Sequence, residues 1–324
     1  MTAPLLEVED LRVVFPGSDR RRTLAVDGVS FSVERGKTLG IVGESGSGKS
    51  TLALSIMRLL PPAARIVGGE MRFEGEDLLA KSPNEMRQIR GKRIAMILQD
   101  PMASLNPLFT IGDQVSESLR VHEGASRPAA WKRARSLLEA VRISAPATRM
   151  KEFPHQMSGG MRQRIVGAIA VACEPRLLIA DEPTTSLDLT IQAQYLSLLR
   201  DLQRDHDLAM IFITHNLGIV AKMCDAVAVM YAGRVVEAGP IRDIFNKPAH
   251  PYTRALLDSI PRLTDDTQAR LPAIEGQPPD PSAPPAGCAF HPRCPQMMER
   301  CQTQAPSSVT VAASHTARCW LHVS

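Results

Sequence analysis

Four apolar segments suited to buried strands recur along the chain, and each is followed by a loop rich in glycine or polar residues. They read "KTLGIVG", "RIAMILQ", "RLLIADE" and "LAMIFITH". Helical spacing of apolar residues appears between them, as in "STLALSIMRLL" and "TIQAQYLSLLRDLQRD". Strands that are apolar throughout are typical of parallel sheets covered on both faces. The pattern therefore predicts an α/β protein with a largely parallel sheet flanked by helices.

Other segments predict additions to this sheet. The segment "LLEVEDLRVVF" alternates apolar and polar residues, and "AVAVMYAGRVVEAG" has two apolar runs that turn at Ala232 and Gly233, so both favour antiparallel strands. Between about residues 105 and 158, "AAWKRARSLLEAVRI" predicts an inserted helical subdomain. After about residue 260 the pattern weakens, and "GQPPDPSAPPAG" predicts an extended linker because five of its twelve residues are proline.

Composition narrows the class of protein. The 324 residues are 44% hydrophobic, and 38 Lys and Arg against 34 Asp and Glu leave +4, too small an excess to indicate nucleic acid. Acidic residues interrupt the first fifteen positions and no later apolar run approaches membrane-spanning length, so we expect a cytosolic chain. Thiols stay mostly reduced there, so the six cysteines are not expected to form three disulfides. Cys173 and Cys224, in apolar context, suit the core.

The segment "GESGSGKS" directly follows the strand "TLGIV" and directly precedes a helix, which is the context of a phosphate-binding loop. Glycines let backbone N–H groups turn toward phosphate oxygens, and the helix presents its positive end to the same anion. We expect Lys49 to reach the β and γ phosphates, Ser50 to ligate Mg²⁺ and Thr51 to add a phosphate contact. The residues predicted to bind nucleotide here are Gly43, Ser45, Gly46, Gly48, Lys49, Ser50 and Thr51.

Two further segments carry groups suited to the same chemistry. The apolar strand in "LLIADEP" ends in Asp181, which would face Mg²⁺, and Glu182, which would polarise an attacking water. In "MSGGMRQR", Ser158 suits an N-cap, and Gly159 with Gly160 leaves amides uncovered at the mouth of a helix. Alone, the first could be an ordinary strand end and the second an ordinary glycine turn.

The order of five segments resembles the nucleotide-binding subunit of an ABC transporter. These are "GESGSGKS", "ILQDP", "MSGGMRQR", "LLIADEPTTSLD" and "FITHN". The resemblance covers about residues 5–258 and implies an ABC-type P-loop NTPase core at 1–258, with its helical subdomain at about 105–158 and a C-terminal extension at 259–324. It also implies ATPase activity with ATP and Mg²⁺.

The resemblance implies roles for residues whose local sequence is uninformative. Gln99 would ligate Mg²⁺, sense the water and relay their state to a membrane subunit. His215 would contact the γ-phosphate and hold the hydrolytic geometry, and Phe15 is the best candidate to stack on adenine. Two ATPase subunits would pair head to tail, so that residues 158–160 contact the γ-phosphate in the partner's loop and Asp188 bridges the interface. Taken alone, Gln99 would suit a strand end and His215 a turn. Phe15 would suit the core, and Asp188 a helix cap.

Three features together resemble the oligopeptide and dipeptide importer branch. They are "LQDPMASLNP", the methionine within "MSGGMRQR", and "KPAHPYTRALLDSIP". The branch implies peptide import, a second ATPase subunit that is often a non-identical homologue, two transmembrane permease subunits and an extracytoplasmic binding protein, with this chain peripheral on the cytoplasmic face of the membrane. A soluble ABC ATPase of DNA repair or translation would share every nucleotide motif, and cargo such as nickel or a glutathione-like peptide stays open.

The last segment of the chain carries four cysteines, Cys288, Cys294, Cys301 and Cys319. Four thiolates in a reducing compartment can form a tetrahedral Zn²⁺ site or bind an iron–sulfur cluster, or can remain unligated. No C-x-x-C pair is present, which weakens the usual structural zinc pattern. Tails of this type in peptide importers are similar to ones that hold a [4Fe–4S] cluster, so the resemblance favours the cluster, with Zn²⁺ as the alternative.

Overall fold

The structure, a computed structural model, describes residues 3–17, 22–100, 104–185, 187–261 and 273–323. Residues 101–103 of the "LQDPMASLNP" segment and Ser186 lie outside these ranges. The strands are β1 Leu6–Pro16, β2 Arg22–Val33, β3 Thr38–Val42, β4 Arg65–Phe73, β5 Glu76–Asp77, β6 Ile94–Ile97, β7 Leu177–Asp181, β8 Ala209–Ile213, β9 Ala226–Tyr231, β10 Arg234–Pro240, β11 Val309–Ala312 and β12 His315–Ala317.

The α-helices alternate with these strands through the middle of the chain. They are α1 Lys49–Ile56, α2 Pro83–Ile89, α3 Ile111–Glu123, α4 Arg127–Ala140, α5 Pro146–Arg149, α6 Gly159–Val171, α7 Leu189–His206, α8 Leu217–Met223, α9 Ile241–Asn246, α10 Pro251–Asp258 and α11 Glu299–Thr303. In the described part of the chain, no helix is both long enough and apolar enough to cross a membrane.

The chain folds as two compact units, each assembled from several segments. The first comprises Met1–Leu5, Val33–Lys37 and Ala80–Ile213. Its strands β6, β7 and β8 pair in parallel, with Ile94 opposite Leu177 and Leu177 opposite Ala209. Every residue of β7 and β8 is buried, as the unbroken apolar runs predict. Helices α3, α4 and α5 lie within the predicted helical subdomain, and Cys173 belongs to a buried cluster of this unit.

The second unit comprises Leu6–Ser32, Thr38–Leu79 and Thr214–Ser324 and contains two groups of strands. One group has the order β2-β1-β4-β5, and β1 pairs with β4 antiparallel. In the other, β3 pairs with β9 in parallel, and β9 pairs with β10 antiparallel. The turn between β9 and β10 is formed by Ala232 (φ 47°) and Gly233 (φ 78°), the left-handed backbone that tight hairpins need. The predicted antiparallel additions are therefore confirmed.

The sequence pattern misses a hairpin near the C-terminus. Strands β11 and β12 pair with each other, and β12 joins the edge of β10, with Glu237 opposite Ala317. Both strands are short, and only the pairing with β10, which is distant in sequence, shows where they belong. The extension after residue 260 therefore completes a sheet of the second unit.

A buried carboxylate organises this part of the second unit. Glu237 in β10 is 1% exposed. Its oxygens accept hydrogen bonds from the backbone N–H groups of Ala249 (2.7 Å) and His250 (2.8 Å), and lie 2.7 Å from Nε2 of His315. Because a buried carboxylate is costly unless its lone pairs are occupied, these partners tie together β10, the start of the "HPYT" segment and the C-terminal hairpin.

Three buried aromatic rings join the same elements. Tyr231, Tyr252 and Phe290 have ring centroids 4.6 to 5.3 Å apart, within the range of favourable edge-to-face and tilted contacts. Phe290 is 1% exposed and comes from the cysteine region, whereas Tyr231 ends β9. This aromatic cluster forms a hydrophobic base for the cysteine region.

Replacing Phe290 with alanine tests that base. We expect Phe290→Ala to lower the free energy of unfolding by about 3–5 kcal/mol, the cost of truncating a buried phenylalanine. Phe109→Ala is the matched control because its side chain is 54% exposed. Chemical denaturation of the full chain measures both, and equal losses for the two variants would contradict the packing described.

Candidate functional site

The predicted phosphate loop lies between β3 and α1 in the second unit, and two of its glycines are required by close backbone contacts. A Cβ on Gly43 would lie 2.2 Å from the carbonyl oxygen of Met230. A Cβ on Gly48 would lie 2.2 Å from the carbonyl oxygen of Ala25, and Gly48 caps α1 with φ 99°. Gly46 faces open space, with nothing within 4 Å of its Cβ position. The loop is therefore wedged against neighbouring strands at its two ends and open between them.

Lys49 lies across its own loop. Its Nζ donates to the carbonyl oxygens of Gly43 (2.8 Å) and Glu44 (2.9 Å) and lies 3.4 Å from Oγ of Ser47. The side chain is among the buried polar groups, at 6% exposure. An ammonium held by two loop carbonyls is positioned to exchange those contacts for phosphate oxygens.

The other predicted binding residues of the second unit surround this loop in different ways. Ser45, Gly46 and Ser50 are exposed, and Thr51 is half-buried. Phe15, at the end of β1, is half-buried and so is not a core residue. His215 is exposed and directly precedes Asn216, the N-cap of α8. The second unit thus contains the loop, Phe15 and His215.

In the first unit, the acidic pair lies at the end of β7 as predicted. Asp181 is the last residue of the strand and is 4% exposed. Glu182 has φ 45°, an uncommon backbone conformation for a residue other than glycine, and its N–H donates to the carbonyl of Ile213 (2.9 Å). Its Oε2 accepts a hydrogen bond from the hydroxyl of Thr185 (3.0 Å). Strained backbone that persists in this way is concentrated at functional sites.

The remaining predicted residues of the first unit cap helices or follow a strand. Ser158 caps α6 by accepting from the N–H of Met161 (3.3 Å). The Cβ position of Gly159 meets nothing within 4 Å, whereas a Cβ on Gly160 would lie 2.8 Å from Cγ2 of Ile191, so the helix mouth is open at Gly159 and covered at Gly160. Asp188 caps α7 through Oδ1, which accepts two backbone N–H groups at 3.0 and 2.9 Å. Gln99 is exposed just after β6.

Comparisons with known proteins agree with these motifs. A family model described as "ABC transporter" matches residues 26–185, and one described as "Oligopeptide/dipeptide transporter, C-terminal region" matches residues 236–301. The chain is 51% identical over 318 residues to the dipeptide transport ATP-binding protein DppD of Bacillus subtilis, covering 98% of this chain and 94% of that protein. The chain belongs to the ABC transporter family of ATP-binding proteins.

This ABC ATPase is similar to a second curated relative and to a solved structure. It is also 51% identical over 318 residues to the oligopeptide transport ATP-binding protein OppD of Bacillus subtilis, covering 98% of this chain and 88% of that protein. Among solved structures, the dimeric ATP-binding cassette MJ0796, in a post-hydrolysis state with ADP and Pi, matches with a TM-score of 0.65 and 25% identity, over 73% of this chain and 99% of that one. The predicted ABC-type P-loop fold and ATPase activity are confirmed.

The four late cysteines of this ABC ATPase lie close enough to influence one another. Burial raises the pKa of the Cys288 thiol to about 11, and negative charge on the other three cysteines would raise it further. Burial also raises the pKa values of Cys294 and Cys319. The N–H of Cys288 donates to the carbonyl of Cys301 (2.8 Å). Among the described residues, however, no group of three or more His, Cys, Asp or Glu side chains is arranged to hold a metal ion.

Sequence reasoning missed two residues that contact the phosphate loop, Tyr252 just before the predicted extension and Arg293 within it. The hydroxyl of Tyr252 accepts a hydrogen bond from the N–H of Glu44 (2.9 Å), and the guanidinium of Arg293 pairs with the Glu44 carboxylate. The hydrogen bond to Glu44 is the main cause that raises the pKa of Arg293. Tyr252 belongs to "HPYT" and Arg293 lies among the cysteines, but nothing in either segment points to a loop more than 200 residues earlier.

The loop geometry gives a test of nucleotide binding. We expect Gly48→Ala to abolish measurable ATP binding, because the new methyl group would collide with the Ala25 carbonyl and force φ out of the left-handed region. Gly46→Ala shares the positive φ but meets no neighbour, so it should weaken binding by about ten-fold, the effect of 1–2 kcal/mol of backbone strain. Titration of each full chain with a fluorescent ATP analogue measures both. Equal affinities for the two variants would contradict the loop geometry.

Proposed function

We propose that this chain is the ATP-hydrolysing subunit that powers import of dipeptides or oligopeptides across the cytoplasmic membrane through partner transmembrane subunits. The observation that carries the proposal is the C-terminal region: residues 236–301 match the oligopeptide/dipeptide transporter type, and this region directly contacts the phosphate loop through Tyr252 and Arg293. The relatives named for dipeptide and oligopeptide transport match over nearly the whole chain. No observation favours the alternatives in DNA repair, translation, or transport of nickel or glutathione-like peptides.

ATP is held mainly by the loop between β3 and α1. The backbone N–H groups of the exposed residues Ser45 and Gly46 and the positive end of α1 bind the phosphates, and Lys49 turns from its loop carbonyls to the β and γ phosphates. Phe15 stacks on the adenine ring. These residues bind and orient the nucleotide before any bond is broken.

Mg²⁺ fits the donors present, since hydroxyl, amide and carboxylate oxygens are the ligands it prefers. Ser50, Gln99 and Asp181 would hold it, together with phosphate oxygens. When bound, the ion neutralises the charge that develops on the transferring phosphoryl group.

Hydrolysis relies on Glu182, His215 and Gln99. Glu182 polarises the attacking water. The orientation of Glu182 is set by the hydrogen bond from its N–H to the carbonyl of Ile213 and by the hydroxyl of Thr185. His215 contacts the γ-phosphate and holds the geometry of attack. Gln99 senses the water and Mg²⁺ and relays their state to the membrane subunit.

The working unit contains two ATPase subunits, the second being a non-identical homologue. Residues 158–160 contact the γ-phosphate bound in the partner's loop, which suits the open space at Gly159 at the start of α6. Asp188 lies at the dimer interface, and the two backbone hydrogen bonds that its Oδ1 accepts at the start of α7 fix the orientation of its side chain. The MJ0796 cassette is dimeric in its post-hydrolysis structure, which supports such pairing. ATP closes the dimer and hydrolysis reopens it, and the membrane subunits rearrange with it.

In this proposal the chain is a peripheral subunit on the cytoplasmic face of the membrane. Two transmembrane permease subunits anchor it, and an extracytoplasmic binding protein delivers the peptide. Cargo is therefore selected mainly by the partner proteins. Copurification of integral membrane proteins with the tagged chain supports this assembly, whereas a chain recovered alone from gently solubilised membranes would contradict it.

The acidic residue Glu182 offers the sharpest test of the ATPase mechanism. In the reconstituted transporter, Glu182→Gln should retain ATP binding but lower steady hydrolysis by about a hundred-fold or more, the contribution of a general base. Glu174→Gln, an exposed acid elsewhere in the same unit, should leave hydrolysis unchanged. The partner site must carry the equivalent change, so that the measured rate belongs to this chain. Hydrolysis at the wild-type rate would refute the role of Glu182.

The four late cysteines are proposed to bind a [4Fe–4S] cluster. A single Zn²⁺ ion, the alternative, would take the same four sulfurs around one centre. A [4Fe–4S] cluster takes one thiolate on each of its four irons, which suits the four free cysteines of this segment. Burial raises the pKa values of Cys288, Cys294 and Cys319, so ligation must displace protons from these three thiols.

Anaerobically purified chain provides the test of the cluster. We expect a brown protein with about four irons and four labile sulfides per chain, the content of a [4Fe–4S] cluster. Cys301→Ser should lose the colour and the iron, whereas Cys224→Ser, outside this group, should keep both. A colourless wild-type protein with one zinc per chain would refute the cluster.

A further inference from the structure

Arg293 connects the cysteine region to the phosphate loop by a two-point ion pair. Its Nη1 lies 2.7 Å from Oε2 of Glu44, and its Nη2 lies 3.0 Å from Oε1. The Arg293 side chain is only 4% exposed and that of Glu44 is 26% exposed. A shielded, bidentate arginine–carboxylate pair is stronger and more directional than a surface ion pair.

The cysteines fix the backbone of Arg293. A 3₁₀ turn, His291–Arg293, lies directly between Cys288 and Cys294. The N–H of His291 donates to the carbonyl of Cys288 (2.9 Å), and the N–H of Cys294 donates to the carbonyl of His291 (3.2 Å). The guanidinium also donates to the carbonyl of Glu275 (3.0 Å). A change in the position of either cysteine therefore moves the base of the Arg293 side chain.

Glu44 is connected in turn to the residue that binds phosphate. Its carbonyl oxygen accepts from Nζ of Lys49 (2.9 Å) and from the N–H of Ser47 (3.2 Å). Its N–H donates to Tyr252 (2.9 Å). The side chain, N–H and carbonyl of Glu44 are thus all engaged, the first by Arg293 and the second by Tyr252. Movement of the Glu44 side chain shifts the peptide group that holds Lys49.

Charge gives the pair a second role. The Glu44 carboxylate belongs to a loop that must accept a polyanion, and a nearby negative charge opposes phosphate binding. The Arg293 guanidinium neutralises that carboxylate at 2.7 Å. Loss of Arg293 would therefore both free the loop and leave an uncompensated negative charge beside the nucleotide.

We propose that Arg293 is a positioning residue for ATP binding, and that the Cys288–Cys294 turn transmits the state of the four-cysteine region to the phosphate loop through the Arg293–Glu44 pair. The inference deepens the proposed function, since it rests on ATP binding at this loop and on the cysteines acting as one site. It makes the extension a control element of the nucleotide site.

Equilibrium binding of a fluorescent ATP analogue to the full chain tests the positioning role. Arg293→Gln should raise the Kd about ten-fold or more, the loss expected for a charge-assisted pair. Arg293→Lys keeps the charge without the planar fork and should fall between wild type and Arg293→Gln. Arg254→Gln is the matched control, because Arg254 lies, like Arg293, within residues 236–301 but is exposed and donates only weakly to the carbonyl of Pro248 (3.4 Å).

Thermal unfolding without nucleotide separates the local effect from loss of the fold. A folded Arg293→Gln chain with a Kd within about two-fold of wild type, a free-energy change too small for such a pair, overturns the proposal. If that variant does not fold, Arg293→Lys decides: a weakened Kd with an unchanged melting temperature supports the role, and an unchanged Kd overturns it. In either case the wild-type chain still binds and hydrolyses ATP. Failure of the Arg293 proposal is therefore distinct from failure of the proposed function.

A double-variant cycle tests the transmission step. Cys294→Ser should weaken ATP binding when Arg293 is present and add nothing in the Arg293→Gln background, because both changes act through one contact. The link between cysteines and loop would be overturned if the two substitutions raised the Kd independently, so that their fold-changes multiplied. It would also be overturned if Cys294→Ser had no effect on the Kd in the wild-type background.

Discussion

The ATP site of this protein depends on how one residue of the phosphate loop, Glu44, is held. A phosphate loop binds only while its N–H groups converge, and such a backbone has little intrinsic stability. Here the Tyr252 hydroxyl accepts a hydrogen bond from the Glu44 N–H, and Arg293 pairs with the Glu44 carboxylate. Lys49 donates to the Glu44 carbonyl. Two of those partners come from the far end of the chain, so the shape of the loop is a property of the whole second unit.

Buried polar contacts within the same unit hold the C-terminal extension in place. Glu237 accepts hydrogen bonds from the backbone at Ala249 and His250 and contacts His315. Burial lowers the pKa of His250 to about 3, which keeps its ring neutral, and its Nδ1 accepts the N–H of Tyr252 (3.0 Å). A chain of buried polar contacts thus leads from β10 to the hydroxyl that meets the loop. These contacts span residues 237–315, on both sides of the predicted boundary at 258.

Much of the fold could be predicted because its signals are local, whereas the contacts that shape the candidate site are not. Unbroken apolar runs indicate the parallel strands, and Ser158 and Asp188 are the helix caps that their positions suggest. Tyr252 and Arg293, however, are separated from Glu44 by 208 and 249 positions, and neither stands in a pattern that indicates a loop contact. Pairings over such distances depend on packing of the complete unit, which periodicity and spacing do not report.

The coupling of ATP hydrolysis at this loop to peptide import can be measured in vesicles that contain the assembled transporter. The ATPase rate is compared with the external binding protein added either empty or loaded with peptide. We expect the peptide-loaded binding protein to raise the rate, and labelled peptide to accumulate on the far side only with ATP. A rate indifferent to peptide, with no ATP-dependent accumulation, would contradict this coupling.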